Sequence, residues 1–220
     1  MILRSIGSVF VILIFNIHLF AEETPKQTIL FLGNSLTAGY GLEKVQAFPE
    51  QIQKKINTRN WPFVVVNAGI SGDTSAGGLR RIDWILKRPI DILVLELGAN
   101  DALRGVPLDI TRQNLQKIID KMREKYPNVH IVIAGMEAPP NMGNDYTAKF
   151  RSIFQDLAQR NRTALIPFLL ENVAGHPNLN QPDRIHPTAE GHKMVAENVW
   201  LILKPVLESI LEKTFKKNKK

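Results

Sequence analysis

Five short runs of apolar and β-branched residues punctuate the chain, at positions 28–32, 63–67, 91–97, 129–134 and 164–168. They are nearly continuous in hydrophobicity rather than alternating, the pattern of strands buried on both faces of a parallel sheet. Between them apolar residues recur at helical spacing. Leu115, Ile118, Ile119 and Met122 share a face over 109–125, Ile82, Ile85 and Leu86 share one after Thr74, and Phe150, Phe154 and Leu157 mark a third helix. A last helix is predicted to begin near Thr188, a suitable cap behind Pro187, and to run to about Leu211 with a kink at Pro205. Strand–helix alternation five times over predicts an α/β fold, a three-layer α/β/α sandwich around a five-stranded parallel sheet. Ligands of such sheets bind beyond the carboxyl ends of the strands.

The ends of the chain read differently from its middle. Arg4 is the only charge before Glu22, an apolar run fills 6–20 with interruptions at Ser8, Asn16 and His18, and Ala21 supplies a small residue before Glu22. This is the layout of a secretory signal peptide over 1–21, and it predicts export to the periplasm or the medium. The competing reading is an uncleaved anchor, for which the run is short. Residues 22–212 contain no internal repeat and no linker rich in Pro, Gly or Ser, so they are expected to form one domain. The formal charge of +7 comes from the ends: 22–212 carries 22 basic and 21 acidic residues, whereas 213–220 holds five lysines and no acid. That tail is expected to be a solvated, disordered end, with weak attraction to an anionic membrane surface as a lesser reading. No basic stripe interleaved with aromatics appears in the body, which argues against nucleic acid. The absence of cysteine excludes disulfides, Cys-ligated zinc, a thiol nucleophile and a lipid-modified cysteine behind the leader.

Chemistry concentrates at strand ends. The first run leads into Gly33-Asn34-Ser35-Leu36-Thr37-Ala38-Gly39, the second into Asn67-Ala68-Gly69-Ile70-Ser71-Gly72-Asp73-Thr74, and the third into Gly98-Ala99-Asn100-Asp101. Asp183-Arg184-Ile185-His186-Pro187 precedes the last helix. In a parallel sheet all four open onto one edge. A serine hydroxyl needs a base to become a nucleophile, and histidine is the usual base near neutral pH. A carboxylate three residues earlier can hold the imidazole in the right tautomer. Acyl transfer also needs donors aimed at the developing oxyanion, for which the Ser35 and Gly72 N–H groups and the Asn100 amide are the natural three.

These four segments resemble the motifs of the SGNH hydrolase family, also called GDSL, and within it the thioesterase I/lysophospholipase-like and arylesterase branch. The Ser35 block resembles the first motif, 71–75 the second, 98–101 the third and 183–187 the last. The resemblance implies a flavodoxin-like sheet, no metal or other cofactor, and Ser35, Gly72, Asn100 and His186 as the name-giving residues, with Asp183 as orienting carboxylate. It further implies a small ester, thioester or lipid substrate: an acyl-thioester, a lysophospholipid or an aryl ester. One residue departs from the pattern. The family usually has Asp where this chain has Asn34. An amide keeps an acceptor and gains donors but loses the charge, so it substitutes if the position only ties down the turn beside the serine.

Competing readings are weaker. Ser35 alone is an ordinary helix-capping serine, and Gly72 alone a source of positive φ, but four motifs in order favour catalysis. Asp101 reads as structural, and His176 and His192 as exposed or structural, with His176 within reach of a pocket rim. No HExxH or carboxylate–histidine cluster suggests a metal, and the loop at 72–77 fails as a phosphate loop because Gly78-Leu79 stands where Lys and Ser/Thr are required. Trp61, Trp84 and Trp200 read as core or interface. A Gly-x-Ser-x-Gly elbow is absent. A carbohydrate acetyl esterase and a non-catalytic binding module on the same fold remain as alternatives.

Overall fold

The computed structural model describes residues 26–217; the leader read at 1–21 and the final lysines Lys219 and Lys220 lie outside the described residues. Five strands, β1 (Gln27–Gly33), β2 (Phe63–Gly69), β3 (Ile92–Glu96), β4 (His130–Ala134) and β5 (Ala164–Ile166), form one parallel sheet in the order β2-β1-β3-β4-β5. Register places Gly33 of β1 beside Gly69 on one flank and Glu96 on the other. The carboxyl end of β1 is therefore where strand order reverses, the crevice in which doubly wound sheets place their ligands.

Helices α2 (Phe48–Asn57) and α7 (Ala189–Lys217) pack together on one face, and α3 (Ser75–Ile85), α5 (Leu108–Lys125) and α6 (Asn144–Asn161) form a contiguous layer on the other, as right-handed crossovers require. Two one-turn helices, α1 (Ser35–Ala38) and α4 (Ala99–Leu103), sit directly behind β1 and β3. The apolar faces predicted for α3, α5 and α6 are the buried ones: Ile82 and Ile85, then Leu115, Ile118, Ile119 and Met122, then Phe150, Phe154 and Leu157. Phe31 of β1 meets Phe48 of α2 edge-on at 5.6 Å, and Phe150 meets Phe154 at 5.3 Å. Burying each such ring stabilises the fold by roughly 1.5–3 kcal/mol.

Three features differ from the pattern reading. α2 is not among the helices named from periodicity, although Phe48, Ile52 and Ile56 recur every four residues and all are buried; three apolar positions make a narrow stripe. Strand β2 alternates in burial, with Val64 and Val66 each 38% exposed, because it is an edge strand that helices do not cover on both sides. The last helix begins behind Thr188, whose hydroxyl accepts from Gly191 N–H, and passes through Pro205, but it continues beyond Leu211 to Lys217. Lys213 and Lys216 are thus exposed positions on a helix rather than parts of an unstructured end. Nothing between Leu211 and Lys217 interrupts a helix, and Glu and Lys favour one.

Candidate active site

The turn after β1 is tightly built. Asn34 caps α1, its Oδ1 accepting from Leu36 N–H at 2.9 Å, and Gly39 closes the helix in the left-handed conformation. Gly33 has no room for a side chain: a Cβ there would lie 2.0 Å from Thr37 Oγ1 and 2.5 Å from Glu96 Oε2. Ser35 follows at the first helical position, only 8% exposed.

His186 arrives on the long loop before α7. Asn180 and Pro187 form an isolated antiparallel bridge, and Gln181 N–H donates to His186 O at 2.7 Å, so the segment folds back on itself. Within it Asp183 Oδ1 accepts from the N–H groups of Ile185 at 2.9 Å and His186 at 3.0 Å. Asp183 Oδ2 lies 2.7 Å from His186 Nδ1, and His186 Nε2 lies 2.9 Å from Ser35 Oγ. A carboxylate only accepts, so Nδ1 carries the ring hydrogen and the lone pair of Nε2 faces the hydroxyl. The hydrogen bond from the His186 ring, followed by those from the His186 and Ile185 N–H groups, holds the Asp183 carboxyl down at about 2. The Tyr40 ring lies on the His186 ring at 4.4 Å between centroids, and Gln181 Nε2 donates to Tyr40 O at 2.7 Å and to Pro187 O at 3.0 Å.

The loops after β2 and β3 close the third side. Gly72 takes φ +79°, a conformation that favours glycine, and its carbonyl accepts from Arg104 at 2.9 Å. Asn100 Nδ2 donates to Asp73 O at 2.9 Å, which fixes the amide against the Gly72 loop. Among the described residues neither Ser35 N–H nor Gly72 N–H has a hydrogen-bond partner. Asp101 is structural as expected: it accepts from Ser75 N–H at 2.8 Å, from the Ser75 hydroxyl, and from Thr111 Oγ1 at 3.3 Å. Arg81 pairs with Asp73 at 2.8 Å and reaches Gly33 O at 3.1 Å, tying the β2 loop to the end of β1.

The sequence profile of the GDSL-like Lipase/Acylhydrolase family matches residues 31–194, which contain all of these groups. The chain belongs to this family. Esterase TesA of Pseudomonas aeruginosa is 38% identical over 191 residues, covering 86% of this chain and 94% of that one. The Escherichia coli K12 protein named thioesterase 1/protease 1/lysophospholipase L1 is 35% identical over 196 residues, covering 88% and 91%. Among solved structures, the psychrotrophic esterase EstA from Pseudoalteromonas sp., inhibited by monoethylphosphonate, superposes with a TM-score of 0.78 at 32% identity, covering 83% of this chain and all of that one. This GDSL chain is accordingly a serine ester hydrolase on a five-stranded α/β fold.

All five residues singled out from the sequence reach the carboxyl edge of the sheet, and Ser35, His186 and Asp183 are in direct contact. His192 is buried, accepts from Phe48 N–H at 3.1 Å, and is pushed down to about 4 by burial and by His186; His176 is exposed and lines a cavity of about 620 Å³ with Arg184 and Gln181. Sequence reasoning did not name Glu96, Gln181, Tyr40 or Arg81. The one available signal was for Glu96, an acid inside an apolar strand run; the other three are ordinary surface residue types until the loops are folded.

Proposed function

We propose that this GDSL hydrolase cleaves carboxylic esters and thioesters of apolar acyl groups through an acyl-enzyme on Ser35. The observation that carries the reading is the continuous chain from Asp183 Oδ2 through His186 to Ser35 Oγ, with contacts of 2.7 and 2.9 Å. Ser35 Oγ attacks the carbonyl carbon as its proton passes to His186 Nε2, and Asp183 stabilises the imidazolium that results. The Ser35 N–H, the Gly72 N–H and the second amide hydrogen of Asn100 receive the negative charge on the carbonyl oxygen. Collapse breaks the bond to the alcohol or thiol, which leaves with the proton from His186. Water then attacks the acyl-enzyme with His186 again as base, releasing the acid and restoring Ser35.

The loops around the triad supply the acyl preference. Tyr40, Ile70, Leu103 and Ile185 are each about half exposed and sit on the four segments that build the site. Such a rim favours a hydrocarbon or aromatic acyl group over an acetylated sugar, whose hydroxyls need polar partners. Thioesters, lysophospholipids and aryl esters all meet this requirement. The leader read at 1–21 supports a site of action outside the cytoplasm, and the exposed Lys213 and Lys216 at the end of α7 suit weak attraction to an anionic lipid surface.

The test is a panel of activated esters of graded acyl length with thioesters, lysophospholipids and acetylated sugars, run on the parent and on Ser35→Ala. Turnover beyond acetyl chains is expected from the parent, with no turnover and no phosphonate labelling in the variant. Turnover confined to acetylated sugars would select the deacetylase, and parental rates in Ser35→Ala would remove Ser35 as nucleophile.

A further inference from the structure

Directly beneath the nucleophile turn lies a carboxyl group the mechanism above does not use. Glu96 ends β3 and is fully buried. All of its hydrogen bonds go to the turn. Oε2 accepts from Asn34 N–H at 3.0 Å and from Thr37 Oγ1 at 2.8 Å, and Oε1 accepts from Asn34 Nδ2 at 2.7 Å. Among the described residues no cation pairs with it, and the Arg81 guanidinium at this end of the sheet is engaged by Asp73 and Gly33 O. Burial pushes the Glu96 carboxyl up to about 7 against the pull of its donors. A lone acid in the core is costly, so its retention calls for a reason.

The Asn34 amide supplies one. Its nitrogen side is spent on Glu96; its oxygen side caps Leu36 N–H at 2.9 Å and stands 3.5 Å from Ser35 Oγ. An amide has two orientations, and only one serves both neighbours. We propose that Glu96 is a positioning residue: as a pure acceptor it forces the Asn34 amide to face it with NH₂, which turns Oδ1 toward the nucleophile turn and holds Ser35 in register with His186.

The inference rests on Ser35 being the nucleophile. Its core is that the direction of one buried hydrogen bond matters, not merely the presence of side chains of the right size. A donor at position 96 pointing toward Asn34 would turn the amide over. Nδ2 would then confront the Leu36 N–H, leaving a buried donor unpaired at the first turn of α1. A carboxylate at position 34, by contrast, accepts on both sides and tolerates a donor at 96. Exchanging the two groups therefore reverses the bond while keeping every partner.

The experiment compares the parent, Ser35→Ala, Glu96→Gln and the exchange variant Asn34→Asp/Glu96→Gln on one activated ester at about pH 8, above the titration of Glu96. Glu96→Gln is expected to lose about 100-fold in kcat and in the rate of phosphonate labelling, the scale of a 1 Å displacement of a reacting group, with KM within about twofold. The exchange variant is expected to recover to within about tenfold of the parent. A folded Glu96→Gln with parental kcat overturns the proposal, as does an exchange variant no better than Glu96→Gln, since a role in packing or folding alone is not rescued by moving the carboxylate. Should Glu96→Gln fail to fold, the exchange variant decides: folded and active supports the proposal, unfolded or inactive overturns it. If Ser35→Ala keeps parental activity, the nucleophile assignment itself has failed, a result distinct from any of these.

Discussion

The two halves of the Ser35–His186 contact are built in opposite ways. The nucleophile turn grows out of the central strand, is buried, and is fixed by long-range hydrogen bonds: Glu96 from 62 positions away and Arg81 from 48. The base loop is more open, with Asp183 37% and His186 17% exposed, and most of its bonds run between residues two to six positions apart. Its link to the nucleophile turn is the Gln181 bond to Tyr40 with the ring contact that accompanies it. One half is wired into the core; the other is a self-folded loop leaned against it. Damage to the first is therefore expected to displace the nucleophile, and damage to the second to change the state or the freedom of the imidazole.

The sharpest break in that comparison is Asp183→Asn. Oδ1 can still accept from Ile185 and His186 N–H, so the loop keeps its shape. The amide nitrogen, however, faces Nδ1 and favours the tautomer with hydrogen on Nε2, which cannot take the proton of Ser35. A fall of about 10⁴-fold in kcat is expected in a variant that remains folded. A loss below tenfold would show that the carboxylate only shapes the loop.

Asn100→Ala probes the third side of the site. The amide is held in place by Asp73 O, so as an oxyanion donor it is expected to meet the developing charge without reorganising. Turnover should fall about 100- to 1000-fold, or roughly 3–4 kcal/mol, while the backbone donors of Ser35 and Gly72 keep some activity. Michaelis constants are expected to move little when acylation limits the rate. Steady-state kinetics with parental turnover would return Asn100 to the role of a loop anchor.

Acid and base should act on the two regions with opposite sign. Burial raises Glu96 from 4.5 to about 7, so its contribution to stability is present below 4.5 and is lost as pH rises through about 7. Hydrogen bonding lowers Asp183 from 3.8 to about 2, so its contribution is present above 3.8 and is lost as pH falls toward 2. Melting curves of the parent, Glu96→Gln and Asp183→Asn across this range test it. The parent's advantage over Glu96→Gln should shrink as pH rises, by about 3 kcal/mol at most. Its advantage over Asp183→Asn should shrink as pH falls, and by less, because solvent screens that carboxyl. Parallel changes in the two differences would erase the contrast between the regions.

The smallest effect is expected at the junction. Gln181→Ala removes the bonds to Tyr40 O and Pro187 O and leaves the triad intact. Greater freedom of the loop should lower kcat by about tenfold, or ~1.4 kcal/mol, with little change in melting. Parental kcat would mean that the ring contact with Tyr40 suffices.

Local regularities fixed much of this protein in advance. The apolar runs announced five buried strands, and the 3.6-residue recurrence of Leu115, Ile118, Ile119 and Met122 announced a helix, because burial of one face is a property of spacing. Ser35, Gly72, Asn100, Asp183 and His186 were legible for a related reason: each lies in a short segment at a strand or helix end whose residue types suit one chemistry. Even the cap formed by Asn34 follows from its side chain and its place before a helix. What only the tertiary structure decided is pairing across the chain. That β2 is an edge strand, and so exposes Val64 and Val66, depends on the order in which strands assemble, which no single strand encodes. That an acid in β3 meets an amide 62 positions earlier depends on the register of β1 with β3. Gln181 and Tyr40 likewise became partners because two loops close over the same edge. Periodicity reports which face of an element is buried, whereas the partner of a buried polar atom is set by contacts between elements.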